Sequence, residues 1–192
     1  NVTGLAIIDI SDPANPGAPS YTATGGWANE IDINGSHAYV GNGTPDGLAI
    51  IDISNPASPG TPVKQNTNGY GYGVSVVGNY AYIADGNSGL AIIDITDPTN
   101  LVGPGGGGTP VYEPTNGTAY GIDVVGSYAY VADGPAGLAI INISDPTDPG
   151  TPVYRDTNGN AREVKINGSH AYIADGNVTG LAIIDISDPA NP

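Results

Sequence analysis

Short apolar runs recur along this chain at nearly constant spacing. The run GLAII, followed by Asp or Asn, begins at Gly4, Gly47, Gly89, Gly137 and Gly180, at steps of 43, 42, 48 and 43 residues. It is apolar without alternation, as at Leu48, Ala49, Ile50 and Ile51. A sheet with one wet face would alternate apolar and polar positions, so this run predicts a strand covered on both faces. Three more strand-like runs share the period. EIDING, GVSVVG, GIDVVG and EVKING come first. HAYVGNG from His37, YAYIADG from Tyr80, YAYVADG from Tyr128 and HAYIADG from His170 come second. After GLAII come TPVKQ from Thr61, TPVYE from Thr109 and TPVYR from Thr151, with a looser APSYT at Ala18. Each period thus holds four predicted strands, labelled a to d in that order.

The joints carry turn chemistry. Gly35-Ser36, Gly78-Asn79, Gly126-Ser127 and Gly168-Ser169 separate strands a and b by two residues, which is hairpin spacing. Asp85-Gly86 and Asp133-Gly134 open the b–c turn, and a Pro-rich loop such as SDPANPG takes the chain out of the ladder after strand c. The prediction is an all-β fold of four-stranded antiparallel units stacked face to face, the architecture of β-propeller blades of about 43 residues. A parallel β-helix is the alternative, but its shorter coils lack two-residue hairpins.

A second repeat encloses the first. Residues 1–16, NVTGLAIIDISDPANP, recur letter for letter as 177–192, a period of 176 residues. The expectation is a single repeat domain over 1–192, four blades per period, with blade boundaries near 25, 66, 114 and 156. The chain opens with strands c and d, continues with three complete blades, and closes with strands a, b and c. Strand c of the fourth blade is therefore supplied twice, around Leu5, Ile7 and Ile8 and around Leu181, Ile183 and Ile184. Three arrangements stay open: a window on a tandem array, donation of the surplus strand to a neighbouring molecule, or a closed ring with the extra strand loose at its edge. The first two give a linear polymer. The opening residues fall inside a repeat, as in a processed protein or a segment of a longer one.

GLAIIDISDP, preceded by YAYVADG and followed by TPV, resembles the LVIVD repeat of bacterial and archaeal surface proteins, four times over. The resemblance implies a β-propeller, secretion or cell-surface display, and no catalytic motif. The chain departs from the pattern at Gly41 and Asn42, where other repeats have Ala-Asp, and at NLVGPGGGG (100–108), which is expected to be an exposed, flexible insertion.

Charge narrows the partners. The formal net charge is −15, and Lys64, Arg155, Arg162 and Lys165 are the only Lys or Arg residues. Nucleic acid and anionic membrane surfaces need clustered cations, so neither is expected as partner. No apolar run approaches a membrane span. With no Cys there is neither a disulfide nor a thiolate metal site.

Candidate chemistry is sparse. Asp9 and Asp12, Asp94 and Asp97, and Asp185 and Asp188 recur in loops, with Asp85, Asp133 and Asp175 in the preceding turn. Calcium is the cofactor such loops would suit, although Asp before Gly or Pro commonly caps its own backbone. Aligned strand a regions group Trp27 with Tyr70, Thr118 and Asn160, and Asn29 with Tyr72, Tyr120 and Arg162. Strand a lines a propeller's axis, so Trp27, Asn29, Tyr70, Tyr72, Tyr120 and Arg162 are candidates for a glycan or peptide site; packing with a polar tip is the alternative. Seven N-x-S/T triplets occur, at Asn1, Asn34, Asn42, Asn116, Asn142, Asn167 and Asn177. They are glycan acceptors in a secreted protein, or simply good turn sequence. Asn142 falls in the buried run and is expected to be less accessible than the rest. His37 and His170 replace Tyr and are expected to pack as aromatics. No spacing supports a Ser-His-Asp trio, and an enzyme is not expected. The sequence points to an extracellular structural repeat protein that assembles with itself, a fibre subunit or segment; the alternative is an adhesin-like binding module.

Overall fold

The computed structural model describes residues 4–99, 101, 109–176 and 180–192. Strands β1 (Gly4–Ile7) and β2 (Ser20–Ala23) form a two-stranded antiparallel sheet. Three four-stranded antiparallel sheets follow. Blade 1 holds β3 (Ile31–Asn34), β4 (His37–Gly41), β5 (Leu48–Asp52) and β6 (Val63–Gln65). Blade 2 holds β7 (Gly73–Val77), β8 (Tyr80–Ala84), β9 (Leu90–Asp94) and β10 (Val111–Glu113). Blade 3 holds β11 (Gly121–Val125), β12 (Tyr128–Ala132), β13 (Leu138–Asn142) and β14 (Val153–Arg155). The last sheet has three strands, β15 (Asn160–Asn167), β16 (His170–Gly176) and β17 (Gly180–Asp185). Strands a to d are neighbours in sequence order, as the turn spacing predicts.

The two-residue turns set the register. Asn34 pairs with His37, Val77 with Tyr80, Val125 with Tyr128 and Asn167 with His170. At the b–c turn Gly86 and Gly134 take φ of +58° and +56°, a region where a Cβ is strained. These same turns fasten each blade to the next. Gly86 N–H donates to Ala119 O (3.1 Å) and receives from Ala119 N–H (3.0 Å); Gly134 and Ala161 exchange the same pair at 3.1 and 2.9 Å.

Packing follows the unbroken apolar run. Tyr39, Leu48 and Ile50 of blade 1 share a cluster with Val74, Ala81, Ile83, Ala91 and Ile93 of blade 2. Tyr82, Leu90 and Ile92 meet Ile122, Ala129, Val131, Ala139 and Ile141 of blade 3. Tyr130, Leu138 and Ile140 meet Val164, Ala171, Ile173 and Ile184 of the last sheet. Strand c thus serves two interfaces, its Leu and first Ile facing forward and its Ala and second Ile facing back. Each fully buried Leu or Ile contributes about 1.5–3 kcal/mol.

Several expectations need correction or completion. The b–c turn of blade 1 contains a helical turn, α1 (Gly43–Asp46), where blades 2 and 3 have a plain turn. Asn142, expected to be shielded, is exposed at the end of β13, because the strand's burial stops one residue earlier. The insertion at 100–108 lies outside the described residues except for Leu101, which packs half-buried against the blade 1–blade 2 cluster. Among the described residues the fourth-blade strands a and b do not meet the N-terminal c and d: β16 pairs with β17, and β1 pairs with β2. Leu5 of β1 packs instead on the outer face of blade 1, against Ala38, Val40, Ala49 and Ile51.

Candidate functional site

The inner strands β3, β7, β11 and β15 line up side by side, and their carboxylates lock them together. Asp32 accepts from Val76 N–H at 2.7 Å, Asp123 from Ile166 N–H at 2.7 Å, and Glu30 from Val74 N–H at 3.2 Å. Each acid holds a backbone donor of the next inner strand. Residues just before β3, β7 and β11 and near the start of β15 converge. Asn29, Glu30, Tyr72, Tyr120, Arg162 and Glu163 line one cavity of about 350 Å³.

That cavity joins the four positions grouped by alignment, one from each repeat. Tyr72 lies between two other rings, 4.4 Å from Tyr70 and 5.0 Å from Tyr120 by centroid, both tilted. Arg162 sits over the Tyr120 ring at 4.2 Å, within cation–π range. Asn29 donates its amide to Trp27 O (3.1 Å) and Gly71 O (2.9 Å). Trp27 stays outside this group and is largely exposed. Burial, and then the neighbouring Tyr120 and Tyr70 hydroxyls, push the Tyr72 phenol above its ordinary range.

Three axial residues escaped the sequence reading. Glu30 and Glu163 stand where blades 2 and 3 have Gly73 and Gly121. A Cβ on Gly73 would come within 3.0 Å of Glu30 Oε2, and one on Gly121 within 3.0 Å of Glu163 Oε2. Large and small residues therefore interlock, and the Glu-Gly-Gly-Glu series at one repeat position was the signal. Lys165 bridges the two acids, 3.4 Å from Glu30 and 3.5 Å from Glu163. Burial, and then repulsion from Glu163, raise the Glu30 carboxyl. Burial alone would lower the Lys165 ammonium, but Glu30, Glu163 and Asp123 outweigh it and raise it.

The turn aspartates are structural clasps. Asp85 accepts from Thr67 Oγ1 and from Gly69 N–H at 2.8 Å; Asp133 accepts from Thr115 Oγ1 (2.7 Å) and Gly117 N–H (2.8 Å). Both tie the link entering a blade to that blade's b–c turn. Blade 1 rebuilds the clasp from other residues. Asn42 is fully buried and donates to Thr24 O (3.1 Å) and Asp46 Oδ2 (3.3 Å), and Asp46 pairs with Lys64 at 2.7 Å. Lys64 occupies the position of Tyr112 and Tyr154, whose hydroxyls accept from Asn68 and Asn116 N–H.

The loop aspartates turn inward on their own backbone. Asp9 accepts from Ser11 N–H, Asp12 from Ala14, Asp94 from Thr96, Asp97 from Thr99, Asp185 from Ser187 and Asp188 from Ala190, all at 2.8–3.1 Å. Among the described residues no group of three or more His, Cys, Asp or Glu is placed to hold a metal ion. His37 lies 3.3 Å from Ser36 Oγ and His170 3.1 Å from Ser169 Oγ. Of the sequons, Asn34, Asn116 and Asn167 are exposed, while Asn1 and Asn177 lie outside the described residues. Asn42, expected on an accessible turn, is a correction: its amide nitrogen is buried and donates to Thr24 O and Asp46 Oδ2.

The candidate assembly strands divide sharply. Ile184 is buried against blade 3, whereas Leu181 and Ile183 on the other face of β17 are 59% and 55% exposed. At β1 the pattern is reversed: Leu5 faces blade 1, and Ile8, just past the strand, is exposed.

The LVIVD repeat family matches residues 1–22, 25–67, 68–103, 116–153 and 158–192. The chain belongs to the LVIVD repeat family. As an LVIVD repeat protein it is an all-β, propeller-type repeat module. No curated protein matches it in sequence. Among solved structures it is similar to the computationally designed Ika4 protein, at 10% identity and a TM-score of 0.58, covering 86% of this chain and 95% of that one. It is also similar to a chain in a complex of S. cerevisiae Dbp5 with Nup159, Gle1, IP6 and ADP. There the identity is 11% and the TM-score 0.55, over 94% of this chain and 49% of that one. At these identities the likeness concerns the fold alone. Among the described residues no helix is long and apolar enough to cross a membrane.

Proposed function

We propose that this LVIVD repeat protein is a structural building block of an extracellular or cell-surface fibre, with copies of itself as principal partner. One observation carries the reading: the same strand sequence occurs at both ends of the fold, and each copy leaves uncovered the face that the other buries. Such a contact joins unlike surfaces and need not close, so it propagates into a filament. No role in catalysis is assigned. Asp32, Asp85, Asp123 and Asp133 each hold a backbone N–H, a structural task. The exposed Asn34, Asn116, Asn142 and Asn167 are the sites where glycans would sit. Electron microscopy of the purified chain tests the proposal. Filaments with a regular axial repeat are expected; separate compact particles at every concentration would overturn it.

A second reading has its own support. The axial cavity gathers two tyrosine rings, a guanidinium, an amide and two carboxylates from four repeats, a set suited to sugar hydroxyls or a peptide. Binding on a glycan array that is lost on Tyr72→Ala or Tyr120→Ala would establish it, and an array silent for the intact chain would remove it.

A further inference from the structure

Blades 1 to 3 show how one sheet covers the next. Tyr39 lies over Val74, Tyr82 over Ile122 and Tyr130 over Val164, each pair sharing one buried cluster. The next members of the two series are Tyr172 and Ile31. Both are exposed, at 36% and 46%, where their equivalents are at most 4%. Leu181 and Ile183 are bare in the same way, as is Ile33 on blade 1. The forward face of the last sheet and the rear face of blade 1 are therefore a matched donor and acceptor lacking each other.

What sits on blade 1 instead is a poor substitute. β1 and β2 are two short strands where the internal interfaces present a wider sheet, and a cavity of about 260 Å³ remains between β1 and blade 1, lined by Leu5, Ile7, Ile31, Ile33 and Ala38 among others. β2 has anchors of its own: Ser20 Oγ donates to Pro56 O at 2.5 Å and Thr22 Oγ1 to Gly60 O at 3.3 Å. β1 rests on its pairing with β2 and on Leu5. Neither of the two bonds from β2 to blade 1 involves β1. β17 carries the identical sequence and, among the described residues, has a free edge, since β16 occupies one side.

We propose that β17 of one copy displaces β1 of a second copy and takes its place beside β2. This rests on the polymer reading above and fixes its joint. The joint is a composite blade, with strands a, b and c from one chain and strand d from the next. The β1–β2 register transfers directly, so Leu181 lies opposite Thr22 and Ala182 opposite Tyr21 of the second copy, as Leu5 and Ala6 do now. Tyr172 then covers Ile31 of the second copy, and Leu181 and Ile183 fill the place of Leu5 and Ile7. A strand that satisfied one face is exchanged for one that satisfies both.

Two single-cysteine chains test this, since the protein has no cysteine of its own. A Thr22→Cys chain and a Leu181→Cys chain are mixed, allowed to assemble and oxidised. A covalent heterodimer is expected in the mixture and in neither variant alone. Thr22→Cys gives up the bond to Gly60 O and keeps the Ser20 anchor; both positions are partly or largely exposed, and unchanged circular dichroism confirms that each variant folds. A one-residue slip, Ala182→Cys mixed with Thr22→Cys, points the thiols to opposite faces and is expected to give none. Fibres without the Thr22–Leu181 heterodimer would overturn strand replacement and leave the polymer standing. Neither fibres nor heterodimer would overturn both. Equal cross-linking by the slipped pair would overturn the register and with it the composite blade.

Discussion

Residues 4–8 and 180–184 are the same five amino acids, Gly-Leu-Ala-Ile-Ile, yet they bury opposite sides. β1 turns Leu5 to blade 1 and leaves Ile8 in solvent; β17 turns Ile184 to blade 3 and leaves Leu181 and Ile183 in solvent. In β5, β9 and β13 one strand does both. The difference teaches that the apolar run encodes two interfaces rather than one buried position. Which half is used depends on the neighbour available, and the surplus half is stored as unsatisfied apolar surface.

That comparison breaks most visibly with a charge on the buried side. Ile184→Asp places a carboxylate against Val164 and Ile173 and is expected to cost about 3–5 kcal/mol, loosening the last sheet; Ile8→Asp, the same change at the equivalent position just past β1, should cost under about 1 kcal/mol. Urea unfolding of the two variants measures the gap. Next comes the tyrosine series. Tyr130→Ala should destabilise the separate chain by about 3–4 kcal/mol, and Tyr172→Ala by about 1 kcal/mol or less, because only the first ring is enclosed. In assembled material the two costs should approach each other.

A smaller, pH-dependent effect probes the clasps. Burial holds the Asp133 carboxyl above its ordinary value of 3.8, against the bonds from Thr115 and Gly117 that lower it. A raised folded value means that the unfolded chain releases its proton first. The aspartate's contribution is then complete below 3.8 and declines as pH rises through the folded value. The stability advantage of the native chain over Asp133→Asn should therefore be largest near pH 3.5 and shrink by pH 7, by about 1 kcal/mol or less. Asp145, fully exposed and lowered by its bonds to Thr147, should show the opposite sign, with its advantage lost on acidification.

Much of the fold was legible because each level of the sequence agreed with the others. The period of the GLAII runs, the two-residue Gly turns and the lack of alternation all point to stacked four-stranded sheets, and β3 to β14 follow them strand for strand. The alignment of Asn29, Tyr72, Tyr120 and Arg162 anticipated their meeting, since equivalent positions of inner strands converge by geometry. Glu30, Glu163 and Lys165 were missed because their pairing depends on which blades become neighbours across the axis, a long-range fact. Asn42 was misjudged because an Asn-Gly-Thr triplet looks like an ordinary surface turn. Only the structure shows Asp46 and Lys64 closing over it. Ile183 and Ile184 had looked equivalent as assembly residues, because strand alternation does not say which side has a partner.

Sedimentation of the chain across concentration, beside Ile183→Asp, tests the account most directly. Ile183 is 55% exposed and belongs to none of the buried clusters of the described residues, so the variant should fold as the native chain does. The native chain should grow into larger species with concentration, and more readily in salt, which screens repulsion between copies of charge −15. The variant should remain at 19.2 kDa. A native chain that stays at 19.2 kDa throughout, or a variant that assembles as readily as the native chain, would contradict the joint at β17.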